Sequence, residues 1–170
     1  MKEFLADDFL LYTPTAVELY KYIAKEMPIF DFHCHLDPKE ILENKQYKNL
    51  TQLWLAGDHY KWRTMRMNGI AEHFTTREAS DWEKFFAWAE TVPSLIGNPL
   101  YHWTHMELKN FFNIDKRLSP DTALEIWNEC NEKLQSAEFT PQSLIKKSNV
   151  RFIGTTDDPT STLKYHQLLK

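Results

Sequence analysis

Hydrophobic and polar residues alternate in two short segments of this chain, and the alternation predicts two β-strands. In residues 28–36 one face is apolar and the other becomes polar towards the C-terminal end: the apolar face holds Phe30, Phe32, Cys34 and Leu36, and the opposite face holds Ile29, Asp31, His33 and His35. Residues 149–158 form the second segment. Each segment runs into a polar turn and then a helix, so we expect the first strand to be buried, as in a parallel sheet covered by helices.

Helix-start signals occupy most of the remaining chain. Six prolines directly follow a residue that can cap a helix N-terminus, namely Thr13, Asp37, Asn98, Ser119, Thr140 and Asp158. The cap oxygen accepts a hydrogen bond from a free backbone N–H, and proline at the first helical position has no N–H to satisfy. These signals predict helices over 14–26, 38–44, 99–112, 120–136, 141–147 and 159–169, with further helices near 49–55, 59–67 and 77–90.

The order of these elements predicts an α/β fold with parallel strands, since each strand is followed by a helix and hairpin signals are missing between them. A strand whose inward face is polar only at its C-terminal end is typical of a (β/α)₈ TIM barrel. The stretch between the strands looks almost wholly helical. We therefore expect residues 1–170 to be the N-terminal part of one TIM-barrel domain, with a large helical insertion at about 38–148 between the first two strands.

Composition and charge limit the partners. Hydrophobic residues make up 42% of the chain, and its net charge is −4 with scattered basic residues, so nucleic acid is not an expected partner. No apolar run approaches the roughly 20 residues of a membrane span, and residues 1–8 lack a signal-peptide pattern. We expect a cytoplasmic protein without membrane contact, in which the two cysteines, Cys34 and Cys130, are free thiols.

His33 and His35 are a candidate metal site, because residues two apart on a strand share a face and two imidazoles so placed can converge on one divalent cation. Two hydrogen-bonded histidines at a strand end are the structural alternative. Cys34 points the opposite way and is interpreted as a packing residue. Asp157 and Asp158 are the possible third ligands, but Asp158 is better explained as a helix cap, so we expect the third ligand to be missing.

A short helix predicted near 59–67 concentrates polar side chains that suit a sugar acid. It contains His59 and Tyr60, with lysine, two arginines and tryptophan close by. Histidine can act as acid or base, a tyrosine hydroxyl can donate to an oxyanion, and arginine can bind a carboxylate. The alternative is a polar surface helix whose Trp62 and two methionines, Met65 and Met67, face the core. His102 and His105 also share a helical face, but aromatic helix packing explains them adequately.

Four sequence blocks, taken in order, resemble the uronate (glucuronate) isomerase family: residues 31–36, 57–63, 97–105 and 155–159. The resemblance spans essentially the whole chain and implies interconversion of D-glucuronate with D-fructuronate, and of D-galacturonate with D-tagaturonate, in hexuronate catabolism. It implies His33 and His35 as ligands of a divalent metal, which we expect to be zinc, and His59 and Tyr60 as catalytic, substrate-contacting residues. No organic cofactor is implied, and the full-length protein is expected to form a homo-oligomer.

The length departs from that family, because a barrel of this kind needs about 250 residues before any insertion. We therefore expect a truncated fragment that is poorly folded and inactive alone. Two other functions are a metal-dependent hydrolase of the wider amidohydrolase superfamily and a non-catalytic helical binding module. The block from Gly57 to Arg63 argues against the hydrolase.

Overall fold

The computed structural model describes residues 3–170, so the first two residues of the N-terminal segment considered above lie outside it. The chain divides into two compact units. Unit 1 combines the described residues up to Gln46 with Ser136–Lys170, and unit 2 is Tyr47–Gln135. Unit 1 contains both predicted strands, and unit 2 contains helices from the predicted insertion.

Unit 1 is built on two parallel strands, β1 (Ile29–Cys34) and β2 (Val150–Thr155). Phe30 pairs with Phe152 and Cys34 pairs with Thr155, which brings the C-terminal ends of both strands to the same edge. The predicted α/β class with parallel strands is therefore confirmed.

Gly154 allows the two strands to approach closely. A Cβ atom at this position would lie 2.7 Å from the carbonyl oxygen of Phe32 and 3.0 Å from its carbonyl carbon. Both atoms belong to the backbone and cannot move aside without displacing β1. The strand register also shifts between Asp31 and Cys34, at the level of this contact. Glycine is thus required here by space, whatever its conformational freedom.

The prediction of a buried first strand is wrong for this chain. Phe30 is 66% exposed and Phe32 is 88% exposed, although both lie on the predicted apolar face. A strand of a parallel α/β sheet becomes buried when neighbouring strands and helical layers cover it. Within the described residues β1 has β2 as its one paired neighbour, so its apolar face faces solvent.

The described part of unit 1 also contains four α-helices: α1 (Pro14–Tyr22), α2 (Pro38–Glu43), α8 (Pro141–Lys147) and α9 (Lys164–Leu168). The first two begin where predicted, and the side chains of Thr13 and Asp37 accept hydrogen bonds from backbone N–H groups of those helices. The last helix begins five residues later than the expected Pro159. The carboxylate of Asp158 accepts hydrogen bonds from the backbone N–H of Thr160 (2.7 Å) and from its hydroxyl, so this residue closes a turn instead of capping a helix.

Unit 2 is helical and contains α3 (Leu50–Trp54), α4 (His59–Met67), α5 (Asp81–Thr91), α6 (Pro99–Phe112) and α7 (Ala123–Lys133). The range of α6 matches the prediction. The predicted range 120–136 starts too early, because the hydroxyl of Thr122 accepts from the backbone N–H of Ser119 and bonds back to the carbonyl of Arg117, which forms a tight turn ahead of α7. Among residues 3–170, no helix is both long and apolar enough to span a membrane.

Aromatic side chains form the core of unit 2. Phe85 on α5 is fully buried, and its ring centroid lies 6.3 Å from that of Trp54 on α3 and 5.0 Å from that of Trp127 on α7. Trp88 and Phe112 are also buried. All six tryptophans of the chain lie in unit 2, and the buried aromatic side chains give this unit a core of its own.

Candidate functional site

His33 and His35 lie side by side at the C-terminal end of β1 in unit 1. Their ring centroids are 5.2 Å apart, with the ring planes at 82°, and both residues are exposed. The backbone N–H of His33 donates to Oδ1 of Asp31 at 3.3 Å, so Asp31 contacts the local backbone. Strand alternation therefore brings the two imidazoles together as the sequence predicts, and neutral imidazole nitrogen is a donor that suits zinc.

A third metal ligand is not assembled in the described part of the chain. Across residues 3–170, no group of three or more histidine, cysteine, aspartate or glutamate side chains is arranged to hold a metal ion. Burial raises the pKa of the Cys34 thiol, as do the charges of Asp31 and Asp157, although a backbone hydrogen bond from Leu36 lowers it. Cys34 is thus disfavoured as a thiolate ligand. The histidine pair could supply two of the three protein ligands that catalytic zinc usually has.

A hydrogen-bonded cluster of Thr155, Asp157 and His166 lies beyond the end of β2. The Thr155 hydroxyl donates to Oδ2 of Asp157 at 2.6 Å and lies 2.7 Å from Nε2 of His166. Because a hydroxyl has one hydrogen, the second contact is an N–H donated by His166. Nδ1 of His166 is buried without a hydrogen-bond partner. This cluster was not predicted from the sequence. The two-residue spacing of Thr155 and Asp157 was the available signal, whereas His166 comes from α9.

In unit 2, His59 and Tyr60 occupy the first turn of α4. Their ring centroids are 4.4 Å apart with the planes tilted by 31°. Asp58 caps this helix, since its Oδ1 accepts hydrogen bonds from the backbone N–H groups of Tyr60 at 2.9 Å and Lys61 at 3.1 Å. Tyr60 is about half exposed, and the Arg63 guanidinium lies 5.8 Å from its ring centroid. The cap therefore presents an imidazole and a phenol together.

The electrostatics of this helix start favour an ionised Asp58. Burial acts to raise the pKa of Asp58, but the charge and hydrogen bond of Lys61, together with the backbone N–H groups of Lys61 and Tyr60, hold it below its usual value. The alternative of a simple surface helix fits only in part: Met65 is buried, whereas Met67 is exposed and Lys61 is buried. A buried lysine is unusual on a surface helix.

His105 has a structural environment, as the sequence analysis favoured. Its Nδ1 lies 2.6 Å from the carbonyl oxygen of Tyr101, and its Nε2 accepts a hydrogen bond from the backbone N–H of Leu118 at 3.0 Å. Both ring nitrogens are engaged by the backbone, so the ring is neutral with its proton on Nδ1. Burial lowers the pKa of His105, in agreement with this arrangement. The pair His102 and His105 therefore does not offer a metal site.

Comparison with known proteins points to one family. The family model described as glucuronate isomerase matches residues 1–170. The curated uronate isomerases of Bacillus licheniformis and Halalkalibacterium halodurans are 61% and 58% identical over 170 residues, with 100% of this chain and 36% of each of those proteins covered. The chain thus spans about a third of the length of these relatives.

Solved structures agree with the sequence relatives. A crystal structure of uronate isomerase from Thermotoga maritima superposes with a TM-score of 0.92 at 43% identity, covering 98% of this chain and 36% of that chain. A glucuronate isomerase from Caulobacter crescentus has a TM-score of 0.82 at 23% identity, over 90% of this chain and 33% of that chain. The second likeness is evidence of a shared fold alone.

Proposed function

Because the chain belongs to the glucuronate isomerase family, we propose that it forms the N-terminal part of a uronate isomerase that interconverts D-glucuronate with D-fructuronate and D-galacturonate with D-tagaturonate. In this proposal β1 and β2 are the first two strands of a TIM barrel, and the helices between them, about residues 38–148, are an insertion. The parallel pairing of β1 with β2 supports the proposal, since both strand ends then lie at the edge where such barrels carry their active sites.

The observation that carries the proposal is the meeting of the two imidazoles of His33 and His35, 5.2 Å apart between ring centroids, at the end of β1. We assign both to a divalent metal, with zinc as the expected ion. Bound there, such an ion would hold the oxygens of the sugar acid by Lewis-acid attraction. In this proposal the remaining metal ligand of the complete site comes from a part of the barrel outside residues 3–170.

His59 and Tyr60 supply the acid–base groups in this proposal. An aldose–ketose isomerisation moves one proton from C2 to C1 and one from the C2 hydroxyl to the C1 oxygen through an enediol, without net oxidation. We assign Tyr60 to the proton that moves between the sugar oxygens, and His59 to binding the sugar or relaying a proton. Tyr60 is about half exposed, so part of its side chain can be reached by a ligand.

A fusion protein tests the proposal directly. Residues 1–170 replace the matching third of the Bacillus licheniformis uronate isomerase, and the assay measures ketose formed from glucuronate. We expect the fusion to be active and the 170-residue chain alone to be inactive. Robust isomerase activity of the isolated chain, or a folded but inactive fusion, would contradict this assignment.

Variants of the fusion separate the metal and proton-transfer roles. His33→Ala and His35→Ala are expected to lower the metal content and abolish activity, whereas His73→Ala, which changes an exposed histidine of unit 2, leaves both unchanged. Tyr60→Phe is expected to retain the metal and to lower kcat by about 10²-fold or more, the usual contribution of acid–base catalysis. The cytoplasmic location and the homo-oligomer remain predictions.

A further inference from the structure

Lys61 is a buried cation that follows His59 and Tyr60 in the first turn of α4. It is 7% exposed, and its Nζ donates to Oδ2 of Asp58 at 2.9 Å. The same nitrogen lies 6.0 Å from the ring centroids of both Trp54 and Trp88, so two indoles flank the ammonium group. A lysine that ordinarily extends into water is here held in the core by one carboxylate and two aromatic rings.

The ion pair between Lys61 and Asp58 holds the Asp58 carboxylate more firmly than helix capping requires. Oδ1 of Asp58 accepts the backbone N–H groups of Tyr60 and Lys61, while Oδ2 accepts the side chain of Lys61. A helix cap needs only one such oxygen, and an exposed serine or asparagine serves as well. With both oxygens engaged, the carboxylate cannot rotate without breaking a charge-assisted hydrogen bond. Asp58 thereby bonds both to the backbone at the start of α4 and to the Lys61 side chain.

Glu107 on α6 is a second acid that the charge of Lys61 reaches. Its Oε2 is buried without a hydrogen-bond partner. Burial raises the pKa of Glu107; the charge of Lys61 acts to lower it, and that of Asp58 acts to raise it. Burying an unpartnered polar atom costs stability. Lys61 and Asp58 therefore act on a buried carboxyl of α6 as well as on the start of α4, where His59 and Tyr60 lie.

We propose that Lys61 is a positioning residue of the uronate site, which fixes the Asp58 cap and thereby sets the orientation in which His59 and Tyr60 are presented to the sugar acid. The proposal rests on the proposed function for the chemistry of His59 and Tyr60. The geometry that it explains, the 4.4 Å contact between their rings, is a property of the chain itself.

The first test is nuclear magnetic resonance of the 170-residue chain. The double variant Asp58→Asn/Lys61→Met removes both charges, retains a residue that caps helices and places an apolar side chain in the buried slot, so it is chosen to preserve the fold. Lys61→Met alone is the second variant. Lys116→Met is the control, because it breaks an exposed ion pair with Glu125 in the same unit. All are compared at a temperature where tryptophan fluorescence reports equal folded fractions.

We expect both Lys61 variants to lose the nuclear Overhauser contact between the rings of His59 and Tyr60 and to shift the His59 ring protons, while the control keeps both signals. Unchanged ring signals in a folded double variant would overturn the proposal. Unfolding of both variants would also overturn it, because Lys61 would then be required for the fold instead of for orientation.

The second test uses the fusion enzyme. Displaced catalytic groups lower turnover even when binding is retained. We therefore expect the double variant to lower kcat for glucuronate at least tenfold, with KM changed by less than about threefold, and Lys116→Met to match the unaltered fusion. A double variant with unaltered kcat would refute the role of Lys61. An inactive unaltered fusion refutes the proposed function, whereas the ring contact in the isolated chain still decides the orienting role.

Discussion

Replacing Phe85 by alanine tests whether unit 2 has a stable core of its own. Phe85 is 0% exposed, and its ring meets the rings of Trp54, Trp82 and Trp127 at centroid distances of 5.0 to 6.3 Å. Removing a buried phenylalanine side chain costs about 3–5 kcal/mol through lost burial and the cavity that remains. For a domain of this size, each kcal/mol lowers Tm by about 4–8 °C. A cost of about 4 kcal/mol therefore predicts a Tm lower by roughly 16–32 °C.

Tryptophan fluorescence is the appropriate assay, because all six tryptophans lie in unit 2 and none in unit 1. Leu124→Ala is the matched control: Leu124 lies in the same unit but is 59% exposed, so its truncation is expected to change stability by less than about 0.5 kcal/mol. Equal melting temperatures for the two variants, or a broad non-cooperative transition in the unaltered chain, would refute an independently folded core.

Three further predictions concern single positions. Burial lowers the pKa of His105, so the unfolded chain binds a proton at this residue more readily than the folded chain does. The stability that neutral His105 contributes is complete above about pH 6.5 and is lost as the pH falls from there through the folded pKa. We therefore expect the Tm of His105→Gln to depend less on pH than the Tm of the unaltered chain. Cys130 is buried, and burial raises the pKa of its thiol to about 12, whereas Cys34 is only half-buried. Mass spectrometry after treatment with a thiol reagent should therefore find Cys34 labelled in the native chain and Cys130 labelled only after unfolding. Gly154→Ala places a Cβ atom 2.7 Å from the Phe32 carbonyl oxygen and should speed hydrogen exchange of the β1 and β2 amides, with the amides of α6 unaffected.

The parts of the structure that follow short-range rules were predictable from the sequence. The helix α6 matches its expected range because Asn98 caps it, proline opens it, and Asn113 adopts the left-handed conformation that ends it. The shared face of His33 and His35 follows from the two-residue period of a strand. The grouping of His59 and Tyr60 follows from a capping aspartate next to them in sequence.

The errors have two causes: a residue that suits more than one local structure, and contacts between residues distant in sequence. The start of α9 at Lys164 could not be predicted from the pair Asp158 and Pro159, since the same aspartate is equally suited to close a turn. The bond between Thr155 and His166 joins the end of β2 to α9, across eleven residues of sequence. Likewise, the charge of Lys61 on α4 acts on the pKa of Glu107 on α6, and no local sequence pattern indicates this interaction between helices far apart in sequence.

The exposure of β1 and the lack of a third ligand beside the proposed metal-binding histidines have one physical cause. A parallel strand becomes buried only when strands and helices cover it, and a barrel site is assembled from the ends of several strands. Residues 3–170 provide two strands, so Phe32 faces solvent and the histidine pair has no third ligand arranged beside it within the same residues. Acid–base chemistry on a sugar also depends on excluding water from the reacting atoms. We therefore expect the same elements to cover β1 and to complete the proposed site. In the fusion enzyme, protection of the β1 amides from hydrogen exchange and isomerase activity should then be recovered together.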